Sequence, residues 1–415
     1  MNIILFEDAR VADLDPVTTG RPAFAVSCGS FRLIDLIRHL SDQDVRLITR
    51  VRTHLRDVVA ADFPHFQDTL DPAHQWTCCI NARVAPAAAS LSELGMLVGR
   101  RESLMITDDD DQLLAAVVPT ATISSPELPE LDTATFESLG CTRIDSSLEV
   151  IQYLHDLIRV HCDSMTANLQ WRLGMGGYRE IADGVFSADD ASLGEHVVTD
   201  TRHGPIVLES GCNVGPFTFL EGPVYLGTHC KIAAHSAIKD GVSAGSTCKL
   251  GGEIEATIVE SYTNKQHYGF LGHSYLGSWI NLGAGTCNSD LKNTYGKVNM
   301  QHGGEKIATG LQFCGCFVGD YAKTAINTSI YTGKTIGVGS MVYGMAVHNV
   351  AAFTNDARLT GKVTAIDPKV MIATQARMFG RRQVEQRPCD KALIEAMFEL
   401  TAAERSGLSC EPLVW

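Results

Sequence analysis

No apolar run in this chain approaches the ~20 residues that a membrane-spanning helix requires, so no membrane partner is expected. The first residues, Met1-Asn2-Ile3-Ile4-Leu5-Phe6-Glu7-Asp8, carry no basic segment and too short an apolar run for a signal peptide, and the reading is a cytoplasmic chain. A basic surface is missing as well. The net charge is −14 over 415 residues, which argues against non-specific nucleic-acid binding but leaves room for a local basic site. Neither G-x-G-x-x-G nor a Walker A sequence occurs, so the common phosphate-cradling glycine loops are absent. Cysteine is not scarce at 13 residues, but zinc spacing is. Cys78-Cys79 and Cys314-x-Cys316 lack partner pairs and read as small core residues, and an odd, scattered set suits reduced thiols.

What the chain does have is a period of six. Leu208, Val214, Leu220, Leu226, Ile232, Ile238, Ala244 and Leu250 stand six apart. The residue four places after each is small or β-branched, as at Cys212, Thr218, Val224, Cys230, Ser236, Val242 and Cys248. Neither a helix nor an alternating strand produces that period. It marks a β-helix, whose coils bury a core only when stacked. The register returns at Leu276 and Leu282, and again at Val318, Thr324, Ile330, Ile336 and Val342. The pattern resembles left-handed β-helix enzymes, in which three hexapeptides make one triangular coil. Residues eighteen apart should then stack, placing Cys212, Cys230 and Cys248 in one ladder. The phase slips between Leu250 and Leu276, and a polar stretch interrupts it from Cys287 to Leu311. Such insertions emerge as loops on one face, frequently the binding face.

The N-terminal part reads as α/β. Residues 2–6 predict a buried strand, followed by an irregular polar loop holding Arg10 and Arg21. These arginines suit phosphate through bidentate contacts, or brace the loop; their spacing alone favours bracing. Trp76 to Pro86 predicts a strand whose end places Asn81 and Arg83 at a plausible ligand position. Leu104 to Val118 predicts a hairpin, with Asp108 to Asp111 as a solvated turn rather than a metal site. Pro119 to Asp132 is a Pro/Ser/Glu-rich connection, and Leu148 to Leu173 predicts a helix. From Pro368 onward the pattern is helical again, with Arg377, Arg381, Arg382 and Arg387 clustered as a solvated terminus, or facing a phosphate or another subunit. The expected division is an α/β domain over 1–147, a helical linker over 148–184, a left-handed parallel β-helix over 185–367 and a C-terminal helical segment over 368–415.

The two interruptions carry Gly272-His273-Ser274-Tyr275-Leu276-Gly277, Asn281-Leu282-Gly283-Ala284-Gly285-Thr286 and Cys287-Asn288-Ser289-Asp290. This run, within Asn264 to Asn293, resembles the acetyltransferase half of the bifunctional family that makes UDP-N-acetylglucosamine. That family pairs a sugar-1-phosphate uridylyltransferase with a left-handed β-helix. The resemblance implies His273 as general base toward an amine, Lys265, Tyr275 and Asn281 as sugar-phosphate contacts, and Asn288 near the acetyl-CoA end. An imidazole titrating near neutrality suits that chemistry. It further implies acetyl-CoA as co-substrate, a sugar phosphate as acceptor, UTP or another NTP in a second reaction, and a homotrimer. The chain departs from the family in having one residue rather than two between His273 and Tyr275, and Ser289 where a Tyr is expected. These departures fit a divergent subgroup with a different acceptor pocket.

The N-terminal half lacks the family's Gly-rich loop and Pro-Lys. Phe6-Glu7-Asp8-x-Arg10, Pro16-x-Thr18 and Arg21-Pro22 resemble instead the alternative sugar nucleotidyltransferase-like domain fused to such β-helices. On that resemblance Arg10 and Arg21 become nucleotide-phosphate contacts. Mg²⁺ is implied if the domain is active, with no metal ligand assignable. Two other readings stay open: a scaffold with a degenerate nucleotidyltransferase domain, and a zinc enzyme of the β-helix carbonic-anhydrase type, with three histidines between subunits.

Overall fold

The computed structural model of the chain describes residues 1–40, 45–123 and 130–410. Residues 124–129 of the Pro/Ser/Glu-rich connection and the last five of the C-terminal segment lie outside the described residues. Two compact units emerge. One comprises residues 1–12, 21–26 and 31–152, and the other residues 13–20, 27–30 and 153–415. The main division falls at 152/153, and two short N-terminal segments pack with the second unit.

The first unit is built on a six-stranded mixed sheet. In spatial order its strands are Arg46–Arg50, Asn2–Phe6, Trp76–Asn81, Leu113–Pro119, Leu104–Thr107 and Thr142–Arg143. The first three run parallel, and Leu113–Pro119 is antiparallel to both its neighbours. All five residues of Asn2–Phe6 are buried, which is the near-continuous burial expected of a central parallel strand. The hairpin expected over 104–118 forms, and Cys78 and Cys79 are core residues, with burial pushing the Cys78 thiol up to about 12.

The second unit is a parallel β-helix. Each coil contributes one short strand to each of three sides. The first side stacks Val185–Ser187, Ile206–Leu208, Val224–Leu226, Val242–Ala244, Ile258–Val259, Tyr275–Leu276, Cys316–Val318 and Lys334–Ile336. The second stacks Ser192–Leu193, Asn213–Val214, Lys231–Ile232, Lys249–Leu250 and Asn264–Lys265, and continues through Asn281 to Lys323–Thr324. The third runs Val198–Asp200, Phe219–Glu221, Ala237–Ile238, Glu253–Glu255 and Phe270–Gly272. The six-residue aliphatic positions from Leu208 to Leu250 all point into one core, and Cys212, Cys230 and Cys248 are buried in it. Corners are tight. A Cβ on Gly227 would stand 2.7 Å from the Gly245 carbonyl carbon, so only glycine allows the coils to approach there.

The phase slip now has a cause. On the first side Leu208 pairs with Leu226 and Leu226 with Ala244, but Ala244 pairs with Val259 and Val259 with Leu276. The coils after Ala244 are therefore shorter than eighteen residues. Two of the missing residues are lost at the corner between Leu250 and Ile254, and one each at the corners after Ile254 and Leu271, where Ala256 and His273 take positive φ of 44° and 47°. The second interruption carries a hairpin of Asn299–His302 with Glu305–Ala308.

Helix Leu154–Gly174 covers part of the first side. Its Met165 and Leu169 pack on Val207, with Phe186 and Tyr225 alongside, and Arg172 lies 4.4 Å over the Tyr225 ring. Two further helices, Pro368–Gly380 and Pro388–Leu400, close the described chain, each entered through a proline in its first turn. Because each coil rests only on its neighbours, a cavity in one coil weakens the whole stack. Leu226 is fully buried between Leu208 and Ala244, and Leu226→Ala is expected to cost ~2–5 kcal/mol, read from the urea unfolding midpoint.

Candidate active site

The shortened corners after Ile254 and Leu271 and the following insertion lie at the same corner of three successive coils, between the third and first sides. Ile254 pairs with Leu271, and Glu255 and His273 follow them. Asp290 follows Asn288, the next residue of that stack. His273 Nδ1 lies 2.9 Å from Asp290 Oδ2. A carboxylate only accepts, so in the neutral ring Nδ1 carries the proton and Nε2 is left with the lone pair. The His273 side chain is 21% exposed, and the Phe313 ring stacks on it at 5.2 Å between centroids. The backbone on either side is fixed: His273 N donates to Glu255 O (3.2 Å), Gly315 N to His273 O (2.8 Å) and Cys314 N to Asp290 O (2.8 Å).

Glu255 completes the corner. Burial raises its carboxyl above the usual range, opposed by Lys239 and His273. One ligating atom each from Glu255, His273 and Asp290 fall within 4.8 Å of one another, the only such group of three among the described residues. It has one histidine rather than the three of the zinc reading. Its geometry is that of a hydrogen-bonded imidazole–carboxylate pair, with a second carboxyl nearby.

The other residues expected from the sequence are placed differently. Asn288 is buried, accepts from Gly272 N (2.8 Å) and donates to Gly272 O (2.9 Å) and Ser274 Oγ (3.1 Å), so it holds the loop on which His273 stands. Tyr275 is fully buried, its hydroxyl donating to Glu260 Oε1 at 2.9 Å, and Glu260 also accepts from Ser27 N at 2.8 Å. Lys265 points into the coil interior at the position held by Leu250 one coil earlier. Its ammonium donates to Gly251 O (3.0 Å) and His267 O (2.6 Å), and burial lowers its pKa to about 8. Asn281 alone of these is exposed, on the second side. The single chain therefore unites His273 with Asn288 and keeps Lys265, Tyr275 and Asn281 apart from them. Sequence reasoning misses Asp290, Glu255 and Phe313 as site residues; for Asp290 a signal exists, since it stands about one coil after His273.

Asn281 opens into a cavity of about 600 Å³ on the second side, lined also by Lys249, Asn264, Lys323, Arg381 and Arg382. Tyr262, Trp279 and Phe379 stack beside it, with Trp279 4.3 Å from each of the other two rings.

In the first unit, Arg10 Nη1 pairs with Asp110 Oδ2 at 2.6 Å, on the turn of the hairpin. The Arg21 carbonyl accepts from Arg52 Nη2 at 3.1 Å. Asn81 and Arg83, read from the sequence as ligand contacts, serve Asp8 instead. Its carboxylate accepts from Arg83 Nε and from Asn81 Nδ2, both at 2.8 Å, and Arg83 is 1% exposed. A buried guanidinium must be paired, and this carboxylate does so. Burial would raise the Asp8 carboxyl, yet Arg83 and Asn81 hold it below its usual range. Glu7 is committed likewise to Arg52 (3.1 Å) and to Ala23 N (3.0 Å). With both carboxylates taken, the end of the first strand does not fit a magnesium ion.

Residues 3–172 match the family of sugar nucleotidyl transferases. The chain thus joins a region similar to sugar nucleotidyl transferases to a parallel β-helix. Among curated proteins it resembles the bifunctional sugar-1-phosphate nucleotidylyltransferase/acetyltransferase of Sulfurisphaera tokodaii, with 29% identity over 97 residues, 23% of this chain and 24% of that protein. It also resembles the bifunctional protein GlmU of Methanococcus vannielii, with 30% identity over 90 residues, 22% of each. The matched region spans about a quarter of these relatives' length. Similar solved structures include the Francisella novicida UDP-N-acetylglucosamine acyltransferase, at 12% identity and a TM-score of 0.28 over 56% of this chain and 92% of that one. Another is the N-acyltransferase AntD of Bacillus cereus, at 13% identity and a TM-score of 0.20 over 51% of this chain and 96% of that one. Among the described residues no helix is long and apolar enough to cross a membrane.

Proposed function

We propose that the β-helix transfers an acetyl group from acetyl-CoA to the amine of an amino-sugar 1-phosphate, and that the nucleotidyltransferase domain couples a sugar 1-phosphate to UTP or another NTP. The observation that carries the first half is the 2.9 Å contact of His273 Nδ1 with Asp290, which leaves Nε2 as the base. As the amine nitrogen bonds to the thioester carbonyl carbon, its proton passes to Nε2. The C–S bond then breaks, and the same proton leaves with the thiolate as free thiol. Asp290 holds the ring in the required tautomer and stabilises the imidazolium. Asn288 holds the loop on which His273 stands, Lys265 and Tyr275 are buried apart from it, and Asn281, exposed on the second side, is proposed to meet the sugar phosphate at a subunit interface. Arg10 and Arg21 are proposed nucleotide contacts. Glu7 and Asp8 are each paired with an arginine and are not proposed as magnesium ligands.

Two assays on the purified chain test this reading. One offers glucosamine 1-phosphate with acetyl-CoA, and the other N-acetylglucosamine 1-phosphate with UTP and Mg²⁺. Thiol release in the first and pyrophosphate release in the second are expected. Thiol release alone would restrict the proposal to the β-helix. Silence in both, across a panel of amino-sugar phosphates, would sink it in favour of a scaffold. A homotrimer, proposed from the flat β faces, is checked by light scattering of the eluted protein.

A further inference from the structure

The second interruption of the β-helix ends on an aromatic residue that takes no part in the buried core of the coils. Phe313 is 41% exposed. A single exposed aromatic residue says little by itself. The backbone around this one says more, because it is tied to both members of the His273–Asp290 pair. Cys314 N donates to the Asp290 carbonyl and Gly315 N to the His273 carbonyl, each at 2.8 Å. Phe313 forms an antiparallel bridge with Leu291, the residue after Asp290. Cys316 N donates at 2.9 Å to the hydroxyl of Ser274, the residue after His273. A Cβ on Gly315 would stand 2.1 Å from the Gly272 carbonyl oxygen, so this segment lies as close to the His273 loop as glycine permits. Phe313 is therefore built onto the backbone that carries the base. Its ring lies on the imidazole with the two planes inclined by 22°.

The base needs a second support. Two side-chain torsions orient an imidazole, and the Nδ1–H bond to Asp290 restrains one edge of the ring. One hydrogen bond leaves a coupled motion of the two torsions, which swings Nε2 from side to side. A ring stacked on one face stops that motion, since turning the imidazole drives it into the aromatic carbons. Edge and face together lock the direction of Nε2, as a reacting group requires. The same π face lies beside the imidazole when it takes up a proton and becomes a cation.

We propose that Phe313 is a positioning residue for the transfer, holding the plane of the His273 imidazole so that Nε2 points in one direction and attracting the imidazolium that forms there. Its effect on rate rests on the transfer reading. The orientation it imposes on His273 does not.

Kinetics and crystal structures of the full chain test the two parts. Phe313→Ala is expected to lower kcat for thiol release by about 10–100-fold, the cost of a base displaced by an ångström or less, with KM unchanged. Phe313→Tyr should restore the rate, because at 41% exposure the added hydroxyl can reach water. Tyr295→Ala removes another exposed ring of the same insertion and should leave the rate unaltered. In crystals of Phe313→Ala the His273 imidazole is expected in several orientations, or in one turned away from Asp290. Wild type and Phe313→Tyr should show the single orientation held by Asp290. Thermal melts confirm that the variants fold. If wild type releases no thiol, the transfer reading fails, and the imidazole orientation alone decides this inference. An imidazole unmoved in Phe313→Ala, wild-type kcat in that variant, or an equal loss in Phe313→Tyr overturns it.

Discussion

His273→Ala is expected to lower acetyl transfer by ~10²–10⁴-fold, the range ascribed to a positioned general base. The β-helix should survive, because the His273 side chain is part-exposed at a corner and contributes nothing to the buried core. Asp290→Asn tests the other half of the pair. Asp290 acts through the imidazole, so its loss should appear in kcat with little change in KM. The decisive comparison is the double variant. If Asp290 works only by holding and charging His273, then His273→Ala with Asp290→Asn should be no slower than His273→Ala alone. Additive losses would mean that Asp290 meets substrate directly. Unchanged transfer in His273→Ala would remove His273 from the mechanism.

The repeat is legible because each side of a coil takes one inward aliphatic residue, and from Leu208 to Leu250 every corner has the same length. The period fails where the corners shorten. Between Ala244 and Leu276 the coils lose residues at the turns after Leu250, Ile254 and Leu271, and the last two are the turns that present Glu255 and His273. Part of the irregularity thus falls at the candidate site itself. Lys265 escapes the pattern for a different reason. A lysine breaks the apolar pattern and the resemblance makes it a phosphate contact, yet its strand register turns it inward against two carbonyls. Asn81 and Arg83 show the complementary limit. Residues suited to bind phosphate are equally suited to hold a buried carboxylate, and only the fold reveals that Asp8 lies within reach. The packing of segments 13–20 and 27–30 with the second unit leaves no local trace, because their partners lie hundreds of residues away, as in the Ser27–Glu260 bond.

Lys265 gives the second large effect. The residue is 1% exposed and its ammonium is bonded to carbonyls, with no carboxylate among those partners. Burial therefore lowers its pKa from 10.5 to about 8. The unfolded chain binds this proton more tightly than the folded one. Between about pH 8 and 10.5 the unfolded state carries more protons, so the lysine's contribution to stability rises as pH rises through that window. At neutral pH the charged form is present in both states and the full desolvation cost is felt. Lys265→Met keeps the length of the side chain and removes the titration. The difference in unfolding free energy, wild type minus variant, should move toward the wild type by ~3 kcal/mol between pH 7 and 10.5, at about 1.4 kcal/mol for each tenfold loss of proton affinity. Whatever constant offset follows from leaving the Gly251 and His267 carbonyls unpaired cancels in that difference, as does the titration of Lys323, which both proteins retain. Urea midpoints of the two proteins at pH 7.5 and 10 suffice for the measurement. A difference that stays flat with pH would mean that Lys265 keeps an ordinary affinity for its proton and that water, not the coil interior, surrounds its ammonium in solution.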